Sequence, residues 1–213
     1  CKINFIGKRK IGIIGTKDLR SVGHEIIFDR IELGTYIIAA ALSGKKVTLT
    51  KIKPKIIKTE IKLLKKIGVK IRTEKNKIII FESGKLNSIN IKTEPYPGFP
   101  TDLQAQIMVL MLTASGTSKI TENIFENRFM HVPELRRMGA KIITKNNVAL
   151  ISGSTNLSGA EVMATDLRAS VSLVLAALIA ENKTIINRIY HLDRGYENLE
   201  KKLKKCKASI SRV

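Results

Sequence analysis

Apolar and polar positions follow one plan three times along this chain. Asp29-Arg30 through Ile52, Thr101-Asp102 through Ile124, and Thr165-Asp166 through Ile189 each predict a polar cap, an apolar helix of about 15 residues, a short linker and an alternating strand. A second, amphipathic helix follows in each copy and ends in a related signature: Leu64-Lys65-Lys66-Ile67-Gly68, Leu135-Arg136-Arg137-Met138-Gly139 and Leu203-Lys204-Lys205-Cys206-Lys207. Gly68 and Gly139 predict left-handed helix C-caps, a conformation glycine adopts without a Cβ penalty. Cys206 is taken to break this glycine rule in the third copy, and Cys1 to begin the tail of a fourth.

The first helices, Ile37 to Leu42, Ile107 to Leu112 and Leu173 to Ile179, are apolar nearly all round, which demands burial between layers. The second helices carry Lys and Glu on one side and belong outside. After each glycine junction further strands follow, as at Lys70 to Thr73, Lys77 to Phe81 and Ser88 to Lys92. The expected fold is α/β (α+β): three βαβαββ units, at about 29–92, 101–163 and 165–213, with inner helices and outer sheets. Residues 1 to about 25 stand outside the repeats, and residues 26–213 make up one globule.

Composition narrows the function classes. The chain has 213 residues, 44% of them hydrophobic, enough for one substantial core. The longest apolar run, Val171 to Ala180 apart from Ser172, is about half of what a membrane helix needs, so no membrane partner is expected. With no leader-like opening, the default location is cytoplasmic. A net charge of +20 normally points to nucleic acid. Here the excess is Lys scattered over exposed positions, with no Trp and no basic–aromatic alternation for stacking, which argues against nucleic acid as a partner. A basic module that binds polyanions or a protein partner is the non-enzymatic alternative. Cys1 and Cys206 lack metal-ligand or disulfide spacing, and His24, His131 and His191 share no metal-site spacing.

Candidate chemistry gathers at the helix starts, where unpaired N–H groups and the macrodipole attract anions. Asp29 with Glu32, and Thr101 with Gln104, have capping-box spacing; Thr165 has Arg168 in that place. If Thr101 caps its helix, Asp102 is either a first-turn acid worth about 0.3–1 kcal/mol to the dipole or a carboxylate free to face a cleft. Arg168 in a first turn, and Arg194 beside Gly195 at the start of the next outer helix, each call for an anion or for a salt bridge to Asp166 or Asp193. Arg128 falls in a loop before Pro133, which marks a helix's first turn. The prolines between Pro95 and Pro100 stiffen the entry to Thr101 and so position Asp102.

The stretch from Thr93 to Ile142, with its Pro-Tyr-Pro-Gly-Phe-Pro run, its Thr-Asp-Leu-Gln-Ala-Gln helix start and Asn127-Arg128-Phe129-Met130-His131, closely resembles the UDP-N-acetylglucosamine enolpyruvyltransferases. Ala164-Thr165-Asp166-Leu167-Arg168-Ala169-Ser170 and Asp193-Arg194-Gly195-Tyr196-Glu197 extend the likeness along nearly the whole chain, matching only the C-terminal half of such an enzyme. The resemblance implies an inside-out barrel globule, with residues 1–25 the end of a missing first globule and the crossover from it, and with one sheet edge unpaired. It implies two substrates, UDP-N-acetylglucosamine and phosphoenolpyruvate, no metal or organic cofactor, and the missing N-terminal half of the same enzyme as partner. Asp102 is implied to take the proton from the sugar 3-hydroxyl. Ile124 and Arg128 are implied to lie against the nucleotide sugar, partly through the Ile124 backbone, and Arg194, Arg168 and Asp166 to line the phosphoenolpyruvate wall. The family's acid, usually a Cys on a mobile loop of the first globule, has no counterpart here. The chain alone is therefore expected to be nearly inactive.

Overall fold

At the centre lie three helices whose surfaces are almost wholly apolar. The computed structural model describes residues 1–8, 10–43 and 45–213. A hairpin, β1 (Lys2–Ile6) and β2 (Lys10–Ile14), comes first, followed by an irregular exposed segment up to α1 (Arg30–Ser43). The first unit continues with β3 (Val47–Thr50), α2 (Lys58–Ile67), β4 (Ile71–Glu74) and β5 (Lys77–Ile80). Then come β6 (Asn90–Lys92), α3 (Gln104–Thr113), β7 (Thr117–Thr121), α4 (Val132–Arg137), β8 (Ile142–Lys145) and β9 (Val148–Ser152). The last elements are β10 (Glu161–Met163), α5 (Leu167–Ala177), β11 (Ile185–Asn187), the single turn α6 (Tyr190–Asp193) and α7 (Leu199–Lys205).

Helices α1, α3 and α5 pack on one another and form the core. Ile107 through Leu112 of α3 have no exposed surface, and full burial of such side chains stabilises the fold by about 1.5–3 kcal/mol each. The close fit continues at the helix starts. A Cβ on Gly34 of α1 would come within 2.5 Å of Leu103, and one on Gly195 within 2.9 Å of the equivalent Leu167. A larger residue at either place would have to displace the leucine side chain at the start of α3 or α5.

The middle unit shows the full βαβαββ plan, and its sheet runs β6-β7-β9-β8, with β6 parallel to β7 and the rest antiparallel. The strand that follows each hairpin crosses to the next unit. β6 joins the second sheet, and β10 pairs in parallel with β11 of the third. Among the described residues the first sheet, β3-β5-β4, has no parallel strand beside β3, and the third has no hairpin. The sheets are open, and the fold class is the expected one.

The helix ends correct one expectation. Gly68 takes φ 110° and Gly139 φ 92°, while the third copy places Lys207, not Cys206, in the left-handed position at φ 68°. The same cap closes each copy, with Val69 N–H to the Leu64 carbonyl at 3.0 Å, Ala140 N–H to Leu135 at 3.0 Å and Ala208 N–H to Leu203 at 3.1 Å. Cys206 is the counterpart of Ile67 and Met138. Because a side chain in this conformation costs about 1–2 kcal/mol, Lys207→Gly is expected to stabilise the chain by about 0.5–1 kcal/mol after the flexibility glycine adds to the unfolded state. The midpoint of urea unfolding measures it; an unchanged or lower midpoint would count against this account of the cap.

Candidate functional site

The starts of the three inner helices meet on one side of the core, and each is fixed in its own way. At α1, Asp29 Oδ1 accepts from the Ile31 and Glu32 N–H groups at 2.7 and 3.2 Å, an N-cap as expected, while the Glu32 side chain pairs outward with Lys202. At α5 the cap is Asp166, not Thr165: its Oδ1 accepts from the N–H groups of Arg168 and Ala169 at 2.8 and 2.9 Å. At α3 no side chain caps the helix. Residues Thr101–Leu103 form a 3-10 turn, and the buried Gln104 side chain has no partner among the described residues. The Thr101 hydroxyl instead donates to Glu122 Oε2 at 2.9 Å. The capping box at Thr101 is thus absent, because Thr101 lies inside the 3-10 turn and not at the position before α3.

Asp102, half-buried on this turn, holds two guanidinium groups. Arg128 Nη2 donates to Oδ1 at 2.6 Å, and Arg168 Nη2 approaches Oδ2 at 3.4 Å. Arg168 therefore pairs with Asp102, across units, and neither with Asp166 nor with Asp193. Arg128 reaches in from the 122–131 loop, where its guanidinium also lies 5.1 Å from the Phe125 ring centre. The loop ends where α4 begins, with Pro133 in its first turn as the sequence predicts.

Beneath this cluster lies a junction of buried polar groups that sequence reasoning missed. Tyr196 is almost fully buried, and its hydroxyl shares a 2.9 Å hydrogen bond with Thr35 of α1, with Arg168 Nη1 and Gln106 Nε2 each at 3.4 Å. Gln106 Nε2 also donates to the Asp102 carbonyl at 2.9 Å and lies 3.2 Å from Thr35. One tyrosine thereby ties all three inner helices to the Arg168–Asp102 pair. Burial raises its pKa, opposed by Thr35 and Arg168. Its only sequence signal is its place beside Arg194-Gly195.

His131, 1% exposed at the N-terminus of α4, is pushed down to about 4, chiefly by burial and further by Arg128, with Asp166 opposing. It is neutral at physiological pH. Arg194 differs from its expectation. It follows the single turn α6 instead of opening the outer helix, which is α7, so it stands at a helix C-terminus where a cation is favoured. Arg194 is exposed, while its neighbour Asp193 pairs with Arg212. Ile124 lies at the loop start, partly exposed, with its N–H bound to Glu122 Oε1 at 2.9 Å. Asp102, Arg128 and Arg168 are thus in direct contact, Asp166 is held at the start of the same helix as Arg168, Ile124 lies on the loop that carries Arg128, and Arg194 makes no contact with them among the described residues.

The Pro-rich entry is anchored from the first unit. Thr59 of α2 donates to the Pro97 carbonyl at 2.6 Å, and Arg30, paired with Glu60 at 2.9 Å, stacks 5.2 Å from the Tyr96 ring centre. The Asp102 turn is therefore braced from both sides. Among the described residues no group of three His, Cys, Asp or Glu is placed to hold a metal ion, and none forms a helix long and apolar enough to cross a membrane. The chemistry this arrangement offers is a carboxylate set between two guanidiniums, a proton acceptor beside positive charge.

Comparison with known proteins places the fold in a family. Residues 1–203 match the family described as EPSP synthase (3-phosphoshikimate 1-carboxyvinyltransferase). The chain is similar to proteins named UDP-N-acetylglucosamine 1-carboxyvinyltransferase from Pelagibacter ubique, 59% identical over 100% of this chain and 51% of that protein, and from Caulobacter sp., 51% identical over 100% and 49%. It spans about half the length of these curated relatives. Among solved structures, the enolpyruvyl transferase NikO from Streptomyces tendae superposes with a TM-score of 0.80 at 30% identity, covering 87% of this chain and 44% of that one. An EPSP synthase from Acinetobacter baumannii shares the fold at TM-score 0.73 and 17% identity, covering 99% of this chain and 53% of that one. With the family match running over nearly its whole length and the inner-helix fold in common, this chain belongs to the EPSP synthase family of carboxyvinyl transferases.

Proposed function

We propose that this chain forms one wall of a UDP-N-acetylglucosamine 1-carboxyvinyltransferase, which transfers enolpyruvyl from phosphoenolpyruvate to the sugar 3-hydroxyl in peptidoglycan precursor synthesis. The observation that carries this reading is the Asp102 carboxylate held between Arg128 and Arg168 at the meeting point of the inner helices. As the hydroxyl oxygen bonds to C2 of phosphoenolpyruvate, its proton passes to Asp102 and a proton is added to the C3 methylene. The adduct then loses a C3 proton and expels phosphate. Arg168 and Arg194 supply positive charge for the phosphate and carboxylate, with Asp166 fixing the helix start that carries Arg168. Ile124 and Arg128 lie against the nucleotide sugar.

The proton donor to C3 and the opposite wall come from a first globule. The β1–β2 hairpin supports this, since Ile3, Phe5, Ile11 and Ile13 project into solvent and leave an apolar surface of the kind that marks an interface. Without that wall, water exclusion and substrate positioning are lost, and turnover by this chain alone is expected to be negligible.

Titrating UDP-N-acetylglucosamine and phosphoenolpyruvate separately into isotope-labelled chain, with NMR detection, tests the reading. The sugar nucleotide is expected to shift the Ile124 amide and the Arg128 side chain, and Arg194→Ala to weaken phosphoenolpyruvate more than the sugar nucleotide. Binding that instead spreads over the Lys-rich surface and collapses as salt rises would favour a polyanion-binding module.

A further inference from the structure

Glu122 is a carboxylate where the strand pattern calls for a core residue. It follows β7 in the buried phase set by Ser118 and Ile120, and it is 2% exposed. Both its oxygens are used. Oε1 accepts from the Thr93 hydroxyl at 2.7 Å, the Ile124 N–H at 2.9 Å and the Phe125 N–H at 3.2 Å, and Oε2 accepts from the Thr101 hydroxyl at 2.9 Å. Its own backbone is fixed by Asn147, whose carbonyl accepts from the Glu122 N–H at 2.8 Å and whose side-chain amide donates to the Glu122 carbonyl at 3.0 Å. Thr93 closes the ring, its hydroxyl accepting from the Asn123 N–H at 2.8 Å.

These bonds have a particular geometry. Thr101 is the residue before Asp102, and Ile124 and Phe125 open the loop that delivers Arg128. The two groups that meet as an ion pair at 2.6 Å arrive on separate segments, and both segments end on the same buried carboxylate. A purely structural need at this place is met by an apolar residue, because burying a charge is costly unless every lone pair is satisfied. Here the satisfied charge fixes a distance between two segments of the site.

We propose that Glu122 is a positioning residue that sets Asp102 and Arg128 relative to each other, and with them the seat of the uridine diphosphate sugar. The last clause rests on the function proposed above; the first stands on this chain's own geometry. Glu122 acts through Thr101 on one side and through the loop amides on the other, and does not touch substrate.

The test uses the whole chain, with Glu122→Gln and Thr101→Val as variants and three readouts: amide hydrogen exchange, the NMR signal of the Arg128 guanidinium, and affinity for UDP-N-acetylglucosamine. Glu122→Gln is expected to speed exchange of the Ile124 and Phe125 amides about tenfold or more while Ile107 to Leu112 keep wild-type rates. Thr101→Val, which cuts only the link to the Asp102 turn, is expected to leave those two amides protected yet shift or broaden the Arg128 signal. Both variants should weaken the sugar nucleotide about tenfold. Wild-type exchange at Ile124 and Phe125 in Glu122→Gln, or an Arg128 signal unmoved in both variants, overturns the proposal. Should the unmodified chain fail to take up the sugar nucleotide, that counts against the proposed function, and the exchange and guanidinium readouts decide the role of Glu122 by themselves.

Discussion

Lowering the pH from 7 to 4 is expected to remove about 3 kcal/mol of stability through His131 alone. In the folded chain this imidazole titrates at about 4, held down by burial and by Arg128 against the pull of Asp166, whereas the unfolded chain protonates it near the ordinary value of 6.5. Between those values the unfolded state binds the extra proton, so stability rises with pH across this window. The His131 contribution is complete above pH 6.5, is lost as pH falls, and stops changing below about 4 once the folded form is protonated as well. Carboxylates titrate in the lower part of the same window, which makes a difference measurement necessary. Urea unfolding of the chain and of His131→Phe should diverge by about 2 kcal/mol or more between pH 7 and pH 4.5. Parallel curves would mean that the imidazole reaches water or a partner in the folded state.

The layered plan was legible because it depends on local pattern. Helices such as Ile107 to Leu112 have no polar face to offer solvent, and three of them in one chain must cover one another. The glycine caps at Gly68 and Gly139 were legible for the same reason, one residue type meeting one backbone conformation. Lys207 was missed because the cap recurs in geometry while the residue changes, so spacing from Leu203 was the better guide than the search for an unusual residue. The destination of β6 and β10 was not legible, since a strand of three residues carries no mark of which sheet it will join.

At the site, residue choice was more legible than residue role. Asp102, Arg128 and Arg168 are in contact, yet the local partners expected for Thr101 and Arg168 were not the ones found, because capping spacing describes only neighbours in sequence. Thr101 satisfies Glu122, Asp166 satisfies its own helix, and Arg168 crosses to another unit. Tyr196 and Thr35 are 161 positions apart, a pairing no local rule contains. Glu122 did leave a signal: an acid in the buried phase of an alternating strand is costly enough to demand a reason.

In an active assembly, Asp102→Asn is expected to lower kcat by about 10²–10⁴, the usual worth of a positioned general base, with a much smaller change in KM for either substrate. The substitution keeps size and one acceptor oxygen while removing both the proton acceptor and the negative charge between Arg128 and Arg168. The charge change matters separately. Two guanidiniums now face each other without their anion, which strengthens their hold on phosphate and carboxylate groups, so affinity for phosphoenolpyruvate should be retained or rise. A turnover assay with the amino-terminal half of a relative supplied in trans, together with phosphoenolpyruvate binding, separates the two effects. Loss of kcat with retained binding identifies Asp102 as the base. A matched rise in KM with kcat unchanged would show instead that its work is to hold Arg128 and Arg168 in place, and the proton acceptor would then have to be sought on the opposite wall.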